Sequence, residues 1–286
     1  MAGLIKSTDL AKVREKDFAL QFTGSIKKLI EALGVTRKEK VEEGATLKVL
    51  KVTGTLESGS VAEGETIPLS KYTTTYEAVG EIVLNKWRKG TTAEAIVKKG
   101  YDQAVSKTTD QMLKDIQKGI RSAFFGFLAG AQGVTSATGV GLQAALANAW
   151  GKLQVLWEDD AVDSVYFVNP MDVSDYLGTA QVTMQTAFGM SYIENFLGLG
   201  TVILNSSVEA GTFYATAKEN IVMYYIDVAG AELAQSFNLT TDETGYIGIS
   251  EYTDKDNATV ADLVMSGVTF FPERVAGIVA GSITSF

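Results

Sequence analysis

The chain has 286 residues, of which 46% are hydrophobic, and a formal net charge of −9, with no Cys and no His. Those absences exclude Cys-His and Ser-His-Asp nucleophilic catalysis, zinc held by thiolate or imidazole, disulfides and any histidine pH switch. An enzyme would have to rely on carboxylates, Ser-Lys pairs, oxygen-ligated metals or a cofactor.

The apolar share allows a sizeable core, and the length fits one large domain or two small ones. No apolar run is long enough to span a membrane. The N-terminus is charged within its first turns and has no apolar signal region. Sequons at Asn205, Asn238 and Asn257 therefore read as chance, and the lack of Cys fits a reducing compartment. The charge is unevenly placed. Residues 1–121 hold 21 of the 25 basic and 16 of the 34 acidic residues, a net +5, and residues 122–286 carry −14. Two readings stand: differently solvated surfaces, or a protein that packs on copies of itself, basic half to acidic half. An acidic chain without interleaved basic and aromatic residues is a poor candidate for direct nucleic-acid recognition.

In residues 1–44, Phe18, Phe22, Ile26, Leu29, Ile30 and Leu33 recur near helical spacing, and Gly34 suits a C-cap. This amphipathic helix has little of its own to bury against and reads as an arm that packs on something else. Next, TLKVLKVTGTL predicts a strand and YTTTYEAVGEIVLNKW a second, with Tyr72, Thr74, Tyr76, Ala78, Gly80, Ile82 and Leu84 on one face. At about 3.3 Å per residue the second would reach roughly 50 Å. The Gly/Ser/Glu-rich ESGSVAEGETIPLSK between them predicts a long flexible tip. A long two-stranded ribbon is marginal alone in water. It is expected to lie on a neighbour, in this chain or another, or to fold back on the core as an ordinary hairpin.

Residues 91–128 predict one helix of roughly 55 Å. Thr91 and Glu94 would form its capping box. Val97, Tyr101, Ala104, Val105, Met112, Ile116, Ile120, Ala123, Phe124 and Phe127 would form its apolar stripe, with weak points at Gly100 and Gly119. GAQGVTSATGVG (130–141) reads as a break between domains. The remainder alternates: helix LQAALANAWGKLQVLW, strand SVYFVNP, helix MDVSDYLG, strands TVILNSSV, TFYATA and NIVMYYID, short helix GAELAQSFNL, then strands YIGISEYTD and Val260 to Phe271 before the closing FPERVAGIVAGSI. This is an α+β pattern.

Chemical motifs are weak. Gly139, Gly141 and Ala144 satisfy G-x-G-x-x-A, with Asp159 and Asp160 roughly 20 residues on, but the pattern predicts no strand before Gly139, as a dinucleotide site requires. Ser25 and Lys28 match S-x-x-K without its companion motifs. Asp254, Asp256 and Asn257 fail calcium-loop spacing at Ala258. Glu158, Asp159, Asp160 and Asp163 read as a solvated loop. No catalytic, cofactor-binding or metal-binding residue is assigned.

The order of helical arm, long ribbon, long helix, Gly-rich break and α+β body resembles the major capsid protein of tailed bacteriophages, the Hong Kong 97-like fold. EGETIPLSKY (63–72) is similar to the return limb of that family's extended loop. VYFVNPMDVSDYL (165–177) is similar to the strand, Asn-Pro turn and helix of its axial domain. YIGISEYTD with VMSGVTFFPERVAGIVAGSI is similar to its closing peripheral strands. The resemblance implies an N-terminal arm (1–44), an extended β-hairpin loop (45–90), a spine helix with peripheral domain (91–138), an axial domain (139–240) and completion of the peripheral domain (241–286). It implies self-assembly into hexamers and pentamers of an icosahedral head around double-stranded DNA held non-specifically, in a virion assembled from protein made in the bacterial cytoplasm. It implies no cofactor and no membrane, and a portal as a further partner. A separate scaffolding protein is expected because the arm starts almost at Met1. Interface residues would be Glu57, Ser58, Gly59, Glu63, Glu65, Pro68 and Lys71 on the loop, Phe18, Phe22 and Ile26 on the arm, and Asn169 and Pro170 at the axial turn. The tip from Glu57 to Pro68 has no Lys, so the family's Lys–Asn cross-link is not expected. Three other readings remain: an encapsulin-type nanocompartment shell with the same fold, a Rossmann-like nucleotide-binding oxidoreductase, and a tail or adhesion protein with long β-arms.

Overall fold

A computed structural model of the protein describes residues 7–62, 64, 66–131, 134–157, 162–178 and 183–284. Helix α1 (Ser7–Leu33) buries Phe18, Ala19, Phe22, Ile26, Leu29, Ile30 and Leu33 along one stripe. It ends as expected at Gly34, whose φ of 67° suits a residue without Cβ. The Val35 amide donates to the Ile30 carbonyl at 2.9 Å and the Gly34 amide to Glu31 at 3.1 Å, which closes the helix with a Schellman cap. Strand β1 (Arg37–Lys40) follows, a strand for which the sequence gives no signal.

Strands β2 (Thr46–Thr55) and β3 (Lys71–Glu81) form an antiparallel ribbon, paired from Thr46 with Glu81 to Thr55 with Lys71. The expected single strand through Trp87 is instead two. Ile82 and Leu84 turn into the core, and β4 (Asn85–Thr92) joins a different sheet. The expected long helix is likewise divided. After α2 (Ala93–Lys99), Gly100 takes a φ of 78°, a π-helical turn spans Asp102–Ser106, and α3 runs Lys107–Gly130. Its 24 residues give roughly 36 Å, shorter than the sequence suggested. The cap shifts by one residue. Thr92 accepts from the Ala95 amide, while Thr91 stays buried in β4 with its hydroxyl on the Ala104 carbonyl. Pairing of Thr91 with Val260 in the sheet overrides the local capping box. The buried stripe of α3 is Leu113, Ile116, Ile120, Phe124, Phe125 and Leu128, and Val97 on α2 is 85% exposed.

The Gly-rich break contains strand β5 (Thr135–Val140), followed by α4 (Gly141–Leu156), β6 (Ser164–Val168) and α5 (Pro170–Leu177). A hairpin with no clear sequence signal, β7 (Gln185–Ala187) and β8 (Met190–Ile193), precedes β9 (Gly200–Leu204), β10 (Thr212–Ala217) and β11 (Ile221–Tyr225). The chain closes with α6 (Ala231–Ser236), β12 (Thr240–Thr241), β13 (Ile247–Asp254), β14 (Thr259–Ser266), β15 (Thr269–Pro272) and β16 (Ile278–Thr284).

These strands form a seven-stranded sheet in the order β5-β16-β10-β6-β9-β8-β7, a four-stranded sheet β12-β13-β14-β4 and a three-stranded sheet β1-β11-β15. The main core lies where α1 and α3 meet these sheets. Phe124, Phe125 and Phe167 pack edge-to-face there, with centroids 5.3–5.4 Å apart. A second core lies under α4 and α5. The class is α+β, as expected.

Strand β5 runs directly into α4, so the G-x-G-x-x-A segment does follow a strand, contrary to the sequence reading. Gly139 has a packing reason: a Cβ there would strike the backbone of Ala145. Moreover, β5 is an outer strand of its sheet, and dinucleotides bind where strand order reverses in the interior. Asp159 and Asp160 lie outside the described residues.

Candidate assembly interface

The ribbon β2–β3 hydrogen-bonds to no other strand among the described residues. Its register breaks once. Leu47 faces Gly80 but Lys48 faces Ala78, so Val79 is the extra residue of a β-bulge, which bends and twists a strand pair. Its base is fixed on both limbs. Ile82 donates to the Ala45 carbonyl at 3.1 Å and accepts from Gly44 at 3.0 Å. Ile82 and Leu84 are buried with Ile226, Val228 and Met265. Beside them Gly80 lies flat on an aromatic pair. An ideal Cβ there would sit 2.9 Å from the Phe271 ring, which packs edge-on against Phe127 at 4.9 Å. Farther out, the Tyr72 ring covers Gly54 across the strands.

Beyond Thr55 the ribbon becomes a tip held by few bonds, one of them from the Glu57 amide to the Ser70 hydroxyl at 3.0 Å. Glu57, Ser58, Gly59, Pro68 and Lys71 are all exposed there; Glu63 and Glu65 lie outside the described residues. The same tip also exposes large apolar residues that sequence periodicity does not mark. Leu69 is 93% exposed, Leu56 76% and Ile67 68%. Their signal was present, since isolated Leu and Ile in a Gly/Ser/Glu loop have no core of their own to enter. A group of large apolar side chains at the end of a ribbon is a surface that water covers poorly.

The arm residues are placed differently. Phe18, Phe22 and Ile26, expected to contact a neighbour, are 4%, 0% and 0% exposed in this chain's own core, with Phe22 edge-on to Phe188 at 6.2 Å. The correction follows from topology. The surface that α1 needs is supplied by β12 and β13, more than 200 residues later, which local sequence does not reveal. Polar contacts lock the packing. Arg14 pairs with Glu251 at 2.8 Å, stacks over Tyr101 at 4.6 Å and bonds its hydroxyl, which in turn donates to Glu251. Burial first, then the bond to Glu251, pushes the Tyr101 phenol above its ordinary range. Buried Glu15 accepts from the Thr240 hydroxyl and the Glu251 amide. One step away, Lys89 on β4 pairs with buried Asp262 at 2.8 Å, and Thr109 donates to the same carboxylate at 2.6 Å. The strand leaving the ribbon is thereby tied to the start of α3.

At the turn between β6 and α5, Asn169 caps α5 by accepting from the Met171 amide at 2.9 Å and donates to the Val208 carbonyl at 2.6 Å; Pro170 takes the first helical position. Asp172 accepts from the Gly211 amide at 3.0 and 2.9 Å. These bonds pin the β9–β10 loop to α5. The acidic turn at 254–257 is used internally. Asp254 accepts from Arg88 and from the Asp256 amide, and Asn257 accepts from Thr259. Among the described residues no group of His, Cys, Asp or Glu could hold a metal, and no helix is long and apolar enough to cross a membrane.

No protein-family model matches the chain. No curated protein matches it in sequence. Solved structures do. A virus-like particle from Pyrococcus furiosus superposes with a TM-score of 0.54 at 14% identity, over 93% of this chain and 98% of that one. A Cyanophage A-1(L) capsid protein gives 0.54 at 11% identity, over 90% and 92%. A Gordonia phage Cozz protein also gives 0.54 at 11%, over 91% and 87%. The chain therefore has the Hong Kong 97-like capsid fold along nearly its whole length.

Proposed function

We propose that the protein is the major shell subunit of a tailed-phage head, assembling through its ribbon into hexamers and pentamers of an icosahedral capsid around double-stranded DNA. The observation that carries this reading is the ribbon itself: two strands with no third among the described residues, a base anchored in the core, and a tip that exposes Leu56, Ile67 and Leu69. A second copy is the partner that symmetry supplies at every position of a shell, and a head-to-tail contact forms a ring when the rotation between neighbours closes. In the proposed division, residues 1–44 form the arm, 45–90 the extended loop, 91–138 the spine and first part of the peripheral domain, 139–240 the axial domain and 241–286 the completion of the peripheral domain. Glu57, Ser58, Gly59, Glu63, Glu65, Pro68 and Lys71 would rim the contact, with the three leucine and isoleucine side chains at its centre. Asn169 and Pro170 would shape the axial contacts. A scaffolding protein and a portal would be further partners, and the role is structural, not enzymatic.

Deleting residues 57–68 tests this. The expected result is a folded subunit that forms no closed particles by electron microscopy; closed particles from the deletion would refute the role of the tip. A second reading is an encapsulin-type compartment, a shell of the same fold that encloses protein. Nuclease treatment and mass spectrometry of purified particles separate the two readings by contents.

A further inference from the structure

Two described clefts differ in electrical sign. One, between α1, the π-helical turn and β13, is lined by Glu15, Asp17, Asp102, Asp110, Glu251 and Asp262, with Arg14 as its one cation. The other, of about 370 Å³, lies between α3, α5 and the β8 and β9 ends. Lys118 and Arg121 line it, with five serines and Asn205, and no Asp or Glu among the described residues. In a chain of net charge −9 a cleft of that composition is unusual.

Arg121 is the central group. Its guanidinium donates to the Phe188 carbonyl and lies 5.7 Å from the centroid of that residue's ring. The turn beneath it, Phe188 (φ 50°) and Gly189 (φ 70°), is shaped to its side chain, since an ideal Cβ on Gly189 would lie 2.9 Å from a guanidinium nitrogen. Arg274 stacks over Trp157 at 5.4 Å, and Arg14, Arg37 and Arg88 each have a carboxylate partner. Arg121 has none among the described residues, and burial without one pulls its pKa below the ordinary value. Holding a half-buried guanidinium without an anion is costly, and of its five N–H donors one is used by Phe188. Lys118 lies one turn away on the same helix, and Pro170 brings the N-terminal end of α5 to the same cleft.

We propose that this cleft binds a small tetrahedral oxyanion of the phosphate class, with Arg121 as the fork, Lys118 as a second charge and serine hydroxyls as neutral donors. Unpaired guanidinium, hydroxyl-rich walls and missing carboxylates are the features that recognise a phosphoryl group. The group could arrive as free phosphate or a phosphomonoester, or as the phosphodiester of a nucleic acid; the chemistry is shared.

Titration calorimetry with inorganic phosphate on the intact subunit tests the site. Saturable binding is expected, weakened at least about tenfold by Arg121→Gln and several-fold by Lys118→Gln. Lys118 is exposed, so its variant keeps the test open if Arg121→Gln fails to fold. A short single-stranded oligonucleotide that displaces phosphate assigns the group to a nucleic-acid backbone, and one that does not assigns it to a free phosphate; either supports the site. No saturation up to on the order of 10 mM phosphate, or binding that neither variant changes, overturns it.

Discussion

Phe22→Ala in the unassembled subunit probes where the first helix belongs. Phe22 is fully buried between α1 and the turn carrying Phe188, within the main core. Truncating a buried Phe to Ala removes its transfer free energy and leaves a cavity, together costing about 3–5 kcal/mol. For 286 residues at roughly 2.1 cal/mol/K each, the entropy of unfolding is about 0.6 kcal/mol/K, so the midpoint should fall by about 5–8 °C. Urea unfolding followed by tryptophan fluorescence measures the loss, and calorimetry measures the shift. The subunit must be dissociated, because an arm that packed only on a neighbour would be insensitive in isolation. A change under about 1 kcal/mol would refute the placement of α1 in this chain's own core.

Lys89→Ala should destabilise by about 3–5 kcal/mol, because Asp262 would be left buried and unpaired; Lys89→Met with Asp262→Leu should recover most of that in the same urea assay. Leu69→Glu should leave subunit stability within about 0.5 kcal/mol and sharply reduce particle yield in a sedimentation assay, since the side chain touches solvent and not the core. Alkaline unfolding should report Tyr166, whose phenol burial pushes up to about 12 from an ordinary 10. Between those values the unfolded chain has lost the proton and the native one keeps it, so stability falls as pH rises from about 10 and levels off near 12. Tyr166→Phe should flatten that part of the curve.

Where sequence reading succeeded, the cause of a structure lay within a few residues of it. Asn169, Pro170 and Asp172 announce a capped helix, and Gly34 announces the end of α1, because caps are local. The ribbon was legible as paired alternating runs. Its end was not, because Ile82 and Leu84 continue the same alternation while the pairing partner changes from β2 to β14. Gly100 stands out in the sequence as a weak point, but the strand pairing that carries Thr91 and Thr92 away from the helix is set by residues 259 and 260, far along the chain. Strand β1 consists of Arg, Lys and Glu, all exposed, so it shows no apolar period; its pairing with β11, an Arg37–Glu273 pair and a Lys40–Asp227 pair at 2.7 Å hold it. At the loop tip the charged and turn residues stand out in the sequence, whereas the exposed Leu56, Ile67 and Leu69 do not, since isolated apolar residues carry no period.

The most direct test of the shell assignment is electron microscopy of the purified chain at high concentration, alone and after co-expression with the proteins encoded beside it. The account predicts closed icosahedral particles in which each ribbon lies over the next subunit and the Leu69 side chain is covered. A chain that stays monomeric under both conditions, with its ribbons free in solvent, would contradict it.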